Sequence, residues 1–297
     1  MKIILFGKNG QVGWELQRSL APLGTVIALD SKSTEYDANF LFPSKLEKTI
    51  LSIKPDVIVN AAAYTNVDKA ETDDISAFKV NSESVEVIAK TAEKIGALLI
   101  HYSTDYVFDG TNDIPWLETD IPAPLNIYGK SKLAGEQAII NNCKKYLIFR
   151  TSWVYASRGN NFAKTMLRLG KKHNSLSIIN DQYGAPTSAE LLADCTAHAI
   201  KSALDNGSLY GLYHLTAKGT TTWFEYASLI FECAQKYSLP LTVKSLTPIP
   251  AKEYPLPASR PYNSRLNTQK FEMNFNLELP NWKFGIHRML NEILDNK

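Results

Sequence analysis

Residues 2–13 constrain the fold more than any other stretch of the chain. Ile3-Ile4-Leu5-Phe6 is apolar without alternation, as a strand covered on both faces is. Gly7-Lys8-Asn9-Gly10-Gln11-Val12-Gly13 follows, and then Trp14, Leu16 and Leu20 at helical spacing. Strand, glycine loop and helix in that order form the context of a dinucleotide fingerprint. Glycines allow the tight turn and let backbone N–H groups reach a pyrophosphate at a helix N-terminus. The spacing, Gly-x-x-Gly-x-x-Gly, is one residue longer at its first gap than the commonest form. Because the apolar run begins at once and is short, the N-terminus reads as a strand and not as a targeting peptide.

The same alternation continues down the chain. Strands are expected at 25–29, 57–59, 97–102, 146–151 and 176–179, and helices at 43–54, 75–95, 128–141, 162–172 and 189–203. Apolar strands alternating with helices predict an α/β fold with a Rossmann-type, doubly wound parallel sheet. Beyond about residue 205 the alternation fades, and six prolines fall between 240 and 261. Residues 1–150 are therefore expected to form the dinucleotide-binding domain. Residues 151–297 are expected to be mainly a smaller mixed α/β substrate-binding domain, with about 174–205 returning to the first.

In a doubly wound sheet, ligands bind outside the carboxyl ends of the strands. Asp30 ends the second strand about 20 residues past the glycines, where a carboxylate binds a ribose hydroxyl. It favours NADH because it repels a 2′-phosphate, although Lys32 close by softens that preference. Ala61-Ala62-Ala63-Tyr64 follows the third strand, and its small residues admit a close ligand. Thr104 ends the fourth. Tyr128 and Lys132 stand four apart near a helix start, on one face, and a nearby ammonium favours the phenolate of a tyrosine. A phenol so placed can donate a proton.

Composition closes off other classes. With 32 Lys plus Arg against 30 Asp plus Glu, a net charge of +2 supplies no field for nucleic acid. No stretch nears the length of apolar sequence that spans a membrane. Cys143, Cys195 and Cys233 are dispersed, which suits reduced thiols in the cytoplasm better than a disulfide framework. The five histidines are scattered singly and are expected to be packed or solvated.

The glycine loop, Thr104 and the Tyr128/Lys132 pair lie in the order and spacing of one family, and the chain resembles an extended short-chain dehydrogenase/reductase along its whole length. Four strings sharpen the likeness toward the family's nucleotide-sugar reductases: Phe6 to Gly13; Ser103-Thr104-Asp105-Tyr106-Val107-Phe108; Arg150-Thr151-Ser152-Trp153-Val154-Tyr155; and Ser259-Arg260-Pro261-Tyr262-Asn263-Ser264. The resemblance implies hydride transfer from NADPH or NADH to C4 of a dTDP-linked keto-sugar, with Tyr128 protonating the oxygen, Lys132 binding ribose hydroxyls and lowering the tyrosine pKa, and Thr104 orienting the carbonyl. It implies that Gly7, Gly10, Gln11, Val12, Gly13, Asp30, Asn39, Phe40, Ala63, Tyr64, Thr65 and Tyr102 border the cofactor. Thr104, Asp105 and Trp153 would contact the sugar nucleotide, and Arg260 its diphosphate. Asn39 stands where the family usually has an acidic residue. The resemblance further implies a cytoplasmic homodimer, and Mg²⁺ held by Glu15, Glu190 and Glu292. Dehydratases of the family carry Asp-Glu after the strand-end Thr, whereas Thr104-Asp105-Tyr106 lacks the Glu, so elimination is disfavoured. The intact Thr104, Tyr128 and Lys132 likewise argue against a non-catalytic regulatory subunit.

Overall fold

The computed structural model describes residues 1–295. Its centre is a six-stranded sheet of Lys2–Phe6 (β1), Thr25–Leu29 (β2), Val57–Asn60 (β3), Leu98–Thr104 (β4), Tyr146–Thr151 (β5) and Gly211–His214 (β6). Every neighbouring pair is parallel, in the spatial order β6-β5-β4-β3-β1-β2. β3 and β4 are buried along their whole length, which is why they read as unbroken apolar runs. The chain leaves β1 in one direction to form β2 and returns past it to form β3. The loops after β1 and β3 therefore flank the switch point where such sheets bind ligands.

Each face of the sheet carries its own core. On one face Ile3, Leu5, Val57, Val59 and Phe149 pack with Leu16 and Leu20 of helix Gln11–Leu20 and with Leu192 and Ala199 of helix Ala189–Asp205. On the other, Ile4, Ile58 and Ile148 pack with Leu46, Ile50, Ile88 and Ile139 from helices Pro43–Ile53, Ser84–Ile95 and Ile127–Asn142. A third cluster, including Tyr226, Ile230, Trp282 and Ile286, holds helices Phe162–Gly170, Trp223–Lys236 and Trp282–Leu294 together beside the sheet.

Two expected elements differ. The strand expected at 176–179 forms as Ser175–Ile179, outside the central sheet, and pairs parallel with Ser245–Ile249. The sixth central strand is Gly211–His214, a piece too short to carry a pattern. The helix expected over 75–95 is interrupted by a π-helical turn at Lys79–Glu83. That turn buries Asn81, which donates to Ser131 Oγ (3.0 Å) and Tyr64 O (3.0 Å) and accepts from Tyr64 N (2.9 Å). A π-turn admits an extra residue into a helix, often at functional sites. Here it ties the loop after β3 to the helix bearing Tyr128.

Candidate active site

The glycines shape a cradle. Gly7 has φ +88, and a Cβ there would lie 2.7 Å from Ala61 C and Ala62 N. A Cβ on Gly13 would sit 2.0 Å from Gly7 O, so only glycine lets the first helix start this close to the loop. Gly13 is buried and works by this packing, while Gly7, Gly10, Gln11 and Val12 reach cavity walls. The helix N-terminus thus presents backbone N–H groups to a cleft of about 560 Å³, also lined by Asp30, Asn39, Phe40, Ala63 and Tyr64. Burial works against ionisation of Asp30, but hydrogen bonds from Lys32 N–H, Ser33 and Asn9 and the charge of Lys8 prevail, holding its carboxyl below the usual range. Phe40 meets Phe6 edge to face, with centroids 5.5 Å apart. The polar stretch that precedes it in sequence is in this way anchored against the sheet.

A second cleft of about 430 Å³ shares Gly10, Ala61 and Ala63 with the first. Its walls include Thr65, Tyr102, Thr104, Asp105, Tyr128, Lys132 and Trp153. Helix Ile127–Asn142 opens with Asn126, whose Oδ1 accepts from Gly129 N (2.8 Å), a side-chain N-cap. A Cβ on Gly129 would fall 2.2 Å from Tyr106 O, so the helix start can press against the turn that follows β4. This approach brings Tyr128 beside Thr104 and edge-on to Tyr106, with ring centroids 5.8 Å apart. Burial pushes the Tyr128 phenol up to about 12 against the opposing effect of the Thr104 hydroxyl. Burial brings the Lys132 amine down to about 8, with Glu136 opposing. Lys132 Nζ donates to Tyr102 O (2.6 Å) and lies 3.1 Å from His101 Nε2.

Desolvation is the largest influence on Tyr128 here, and it favours the protonated phenol. Asp105 is also shifted, pushed up to about 6 by burial while the Ser264 and Thr104 hydroxyls oppose. Ser103 Oγ and Thr151 Oγ1, on the same walls, are buried without hydrogen-bond partners among the described residues. Buried hydroxyls are normally satisfied, so these two suit a polar ligand.

The comparisons agree with this geometry. The family model of the RmlD substrate binding domain matches residues 1–294. A dTDP-4-dehydrorhamnose reductase of Escherichia coli strain K12 is 61% identical over 293 residues, covering 99% of this chain and 98% of the relative. The chain belongs to the dTDP-4-dehydrorhamnose reductase family. A reductase of this name from Burkholderia thailandensis is 45% identical, covering 99% of each chain. The solved structure of the Bacillus anthracis reductase, in complex with NADP, superposes with a TM-score of 0.87 at 36% identity, covering 98% of this chain and 99% of that one. Membership makes the chain an oxidoreductase with the Rossmann-type sheet described above.

Arg260 lies outside the Tyr128 cleft, in an adjoining apolar cavity of about 470 Å³ with Tyr106, Phe162, Gln182, Trp223 and Leu256. It donates to Asp68 Oδ2 (2.7 Å) and to Ala258 O (2.8 Å), and its guanidinium holds Asp68 below the usual carboxylate range. Trp153 adopts φ 49 and stacks on Trp223 at a centroid distance of 3.6 Å. Gly184 makes room for it, since a Cβ there would lie 2.7 Å from the indole.

The three glutamates lie apart from both clefts. Glu15 is raised by burial and by the neighbouring charges of Glu190 and Glu292, with Arg18 opposing. Arg18 Nε lies 3.7 Å from Glu15, and Arg288 donates twice to Glu190, at 2.8 and 3.3 Å. Glu15 and Glu190 are thus each engaged by an arginine side chain. Among the described residues no group of three or more His, Cys, Asp or Glu side chains is set to hold a metal ion.

Sequence reasoning missed Asp68, Asn81, His101, Tyr106 and Trp223. Asp68, Asn81 and Trp223 sit in or beside helices with no strand-end signal. His101 and Tyr106 flank Thr104 closely enough that proximity to it was the one available cue.

Proposed function

We propose that this protein reduces the C4 keto group of dTDP-4-dehydro-L-rhamnose to a hydroxyl, giving dTDP-L-rhamnose. The observation that carries the reading is that Tyr128, Thr104 and Lys132 share a cleft that opens, past Gly10 and Ala63, into the glycine cradle. A dinucleotide fits there: Gly7 and Gly13 admit no Cβ and keep the loop tight against the helix start, the helix N-terminus offers N–H donors, and the buried hydroxyls of Ser103 and Thr151 need partners. Bound in that cradle, NADPH or NADH supplies the hydride.

The residues of the chain do the rest. The Thr104 hydroxyl holds the C4 oxygen, and Tyr128 gives its proton to that oxygen as charge develops there. The elevated phenol pKa supports a tyrosine that stays protonated until the carbonyl becomes an alkoxide, a much stronger base. Lys132 turns its remaining N–H toward the cleft, where ribose hydroxyls would accept it. Trp153, held flat by Trp223, walls the sugar side, and Arg260 would exchange Asp68 for the diphosphate, whose geometry suits a guanidinium. Asp30 supports NADH, whereas the NADP complex of the Bacillus anthracis relative supports NADPH. The reading includes the two-domain division near residue 150, a homodimer and a cytoplasmic site of action. Three buried, unpaired cysteines support the last, and no helix among the described residues is long and apolar enough to cross a membrane.

The test is a pulse of dTDP-4-dehydro-L-rhamnose added to the purified protein with NADPH or NADH. One reduced cofactor consumed per sugar supports the reading, and no consumption with either cofactor overturns it.

A further inference from the structure

Asn126 does two jobs at the start of the Tyr128 helix, and a helix cap needs only one of them. Its Oδ1 accepts from Gly129 N (2.8 Å), and its Nδ2 donates to Ser259 O (2.7 Å). The partners set the orientation of the carboxamide, because a backbone N–H can only donate and a carbonyl can only accept. Ser or Thr would cap the helix as well. The second bond, made by a residue only 2% exposed, reaches 133 residues along the chain to the loop that carries Arg260. No helix or strand spans residues 254–268, so side-chain bonds place this loop. Asp68 supplies two more: its Oδ1 accepts from Ala258 N (3.2 Å) and its Oδ2 from Arg260 Nη2 (2.7 Å). Glu71, one turn beyond Asp68, accepts from Ile127 N (2.8 Å). Residues 68–71, 126–127 and 258–260 are thereby closed into one ring of hydrogen bonds.

The bonds of this ring differ in what a ligand does to them. A diphosphate that takes the Arg260 guanidinium competes with Asp68 Oδ2 directly, since both offer anionic oxygens. The Asn126 bond ends on a backbone carbonyl of the loop and leaves the guanidinium out, so it persists when Arg260 turns. We infer that Asn126 is a positioning residue: through Ser259 O it holds the Arg260 loop in place for the diphosphate, at a fixed spacing from Tyr128. The inference rests on the reading above, in which Arg260 takes the diphosphate. Spacing matters for such a substrate because the diphosphate leaves C1 and the keto group sits at C4, opposite each other on one six-membered ring. A loop free to drift would bind the diphosphate with the carbonyl off its line to Thr104 and Tyr128. A pinned loop turns binding at the remote end into alignment at the reacting carbon.

The test separates the cap from the second bond. Asn126→Ser and Asn126→Thr keep a hydroxyl to accept from Gly129 N–H but have no second polar atom to reach Ser259 O, and either suffices if the other fails to fold. Each is made in the full-length chain alone and together with Arg260→Met. The probes are dTDP, which carries the diphosphate without the sugar, and NADPH and NADH, all titrated by calorimetry beside wild type and Arg260→Met. In the Asn126 variants dTDP affinity is expected to fall about tenfold, as for one buried hydrogen bond lost, while dinucleotide affinity holds. Each double variant is expected to bind dTDP no more weakly than Arg260→Met, because Asn126 acts through the arginine. Unchanged dTDP affinity in the Asn126 variants or in Arg260→Met overturns the inference, as does a wild type that does not bind dTDP. So does an equal loss of dTDP and dinucleotide affinity, the mark of a merely structural role, or losses that multiply in the double variants. Because dTDP carries no keto-sugar, the result is independent of turnover. Wild-type turnover by Tyr128→Phe would sink the catalytic reading and leave this one standing, and unchanged dTDP affinity would do the reverse.

Discussion

The helix bearing Tyr128 and Lys132 is fastened to the sheet by a buried ion pair, and removing one partner should cost far more than removing both. Arg150 Nε and Nη2 donate to Glu136 Oε1 and Oε2 at 2.9 and 2.6 Å, with side chains only 4% and 1% exposed. The guanidinium also lies over the Phe108 ring, 5.0 Å from its centroid. Glu136→Leu leaves a buried, uncompensated guanidinium, a loss of about 3–5 kcal/mol. At roughly 2 °C per kcal/mol for a chain of this size, the Tm should fall by about 6–10 °C. Arg150→Met strands the carboxylate and should cost a similar amount. In the double variant both charges are gone and apolar groups fill the space, an exchange that is often neutral or stabilising. The double variant should therefore recover most of the loss, read by thermal unfolding at constant pH and salt. A double variant as unstable as the two single losses added together would refute the assignment of this pair as a coupled, desolvated fastening.

Two further outcomes follow from the packing. Gly13→Ala places a methyl carbon 2.0 Å from Gly7 O, so the first helix must move off the loop; dinucleotide affinity should fall at least about tenfold, with about 1–3 kcal/mol of stability lost, measured by fluorescence titration and thermal unfolding. His214 is fully buried, and burial, reinforced by the charge of Arg150, holds it down at about 3. Because its folded pKa lies below the unfolded value, its contribution is intact above about pH 6.5 and is lost as pH falls toward 3, a loss of about 2 kcal/mol by pH 5. Between pH 7.5 and pH 5, denaturant titrations should show wild type losing about 2 kcal/mol more than His214→Gln, and equal losses would contradict the buried neutral histidine.

What the sequence disclosed and what it withheld divide along physical lines. Strands covered on both faces announce themselves as apolar runs, so the strands from Lys2–Phe6 to Tyr146–Thr151 were readable to within a few residues. The crevice side chains at their carboxyl ends, Asp30, Ala63 and Thr104, came with them. Gly211–His214 was hidden because a four-residue edge strand holding Gly and His carries no pattern. The pairing of Ser175–Ile179 with Ser245–Ile249 depends on a contact across some seventy residues of chain, which periodicity cannot see. The π-turn escaped because one extra residue in a helix leaves its amphipathic stripe nearly unchanged. Resemblance supplied the roles of Tyr128 and Lys132, but not the local electrostatics. That burial raises Tyr128, and that Lys132 faces His101, follow only from side-chain placement. The same holds for Arg260, whose hold on Asp68 has no signature in either segment.

The central claim is that Tyr128 delivers the proton to the reduced carbonyl. Its most direct test is single-turnover reduction of dTDP-4-dehydro-L-rhamnose by Tyr128→Phe beside wild type, with cofactor affinity measured in parallel. Loss of a positioned general acid should slow the chemical step by about 10²–10⁴-fold while the dinucleotide still binds in the glycine cradle. Turnover at the wild-type rate in the phenylalanine variant would contradict the account.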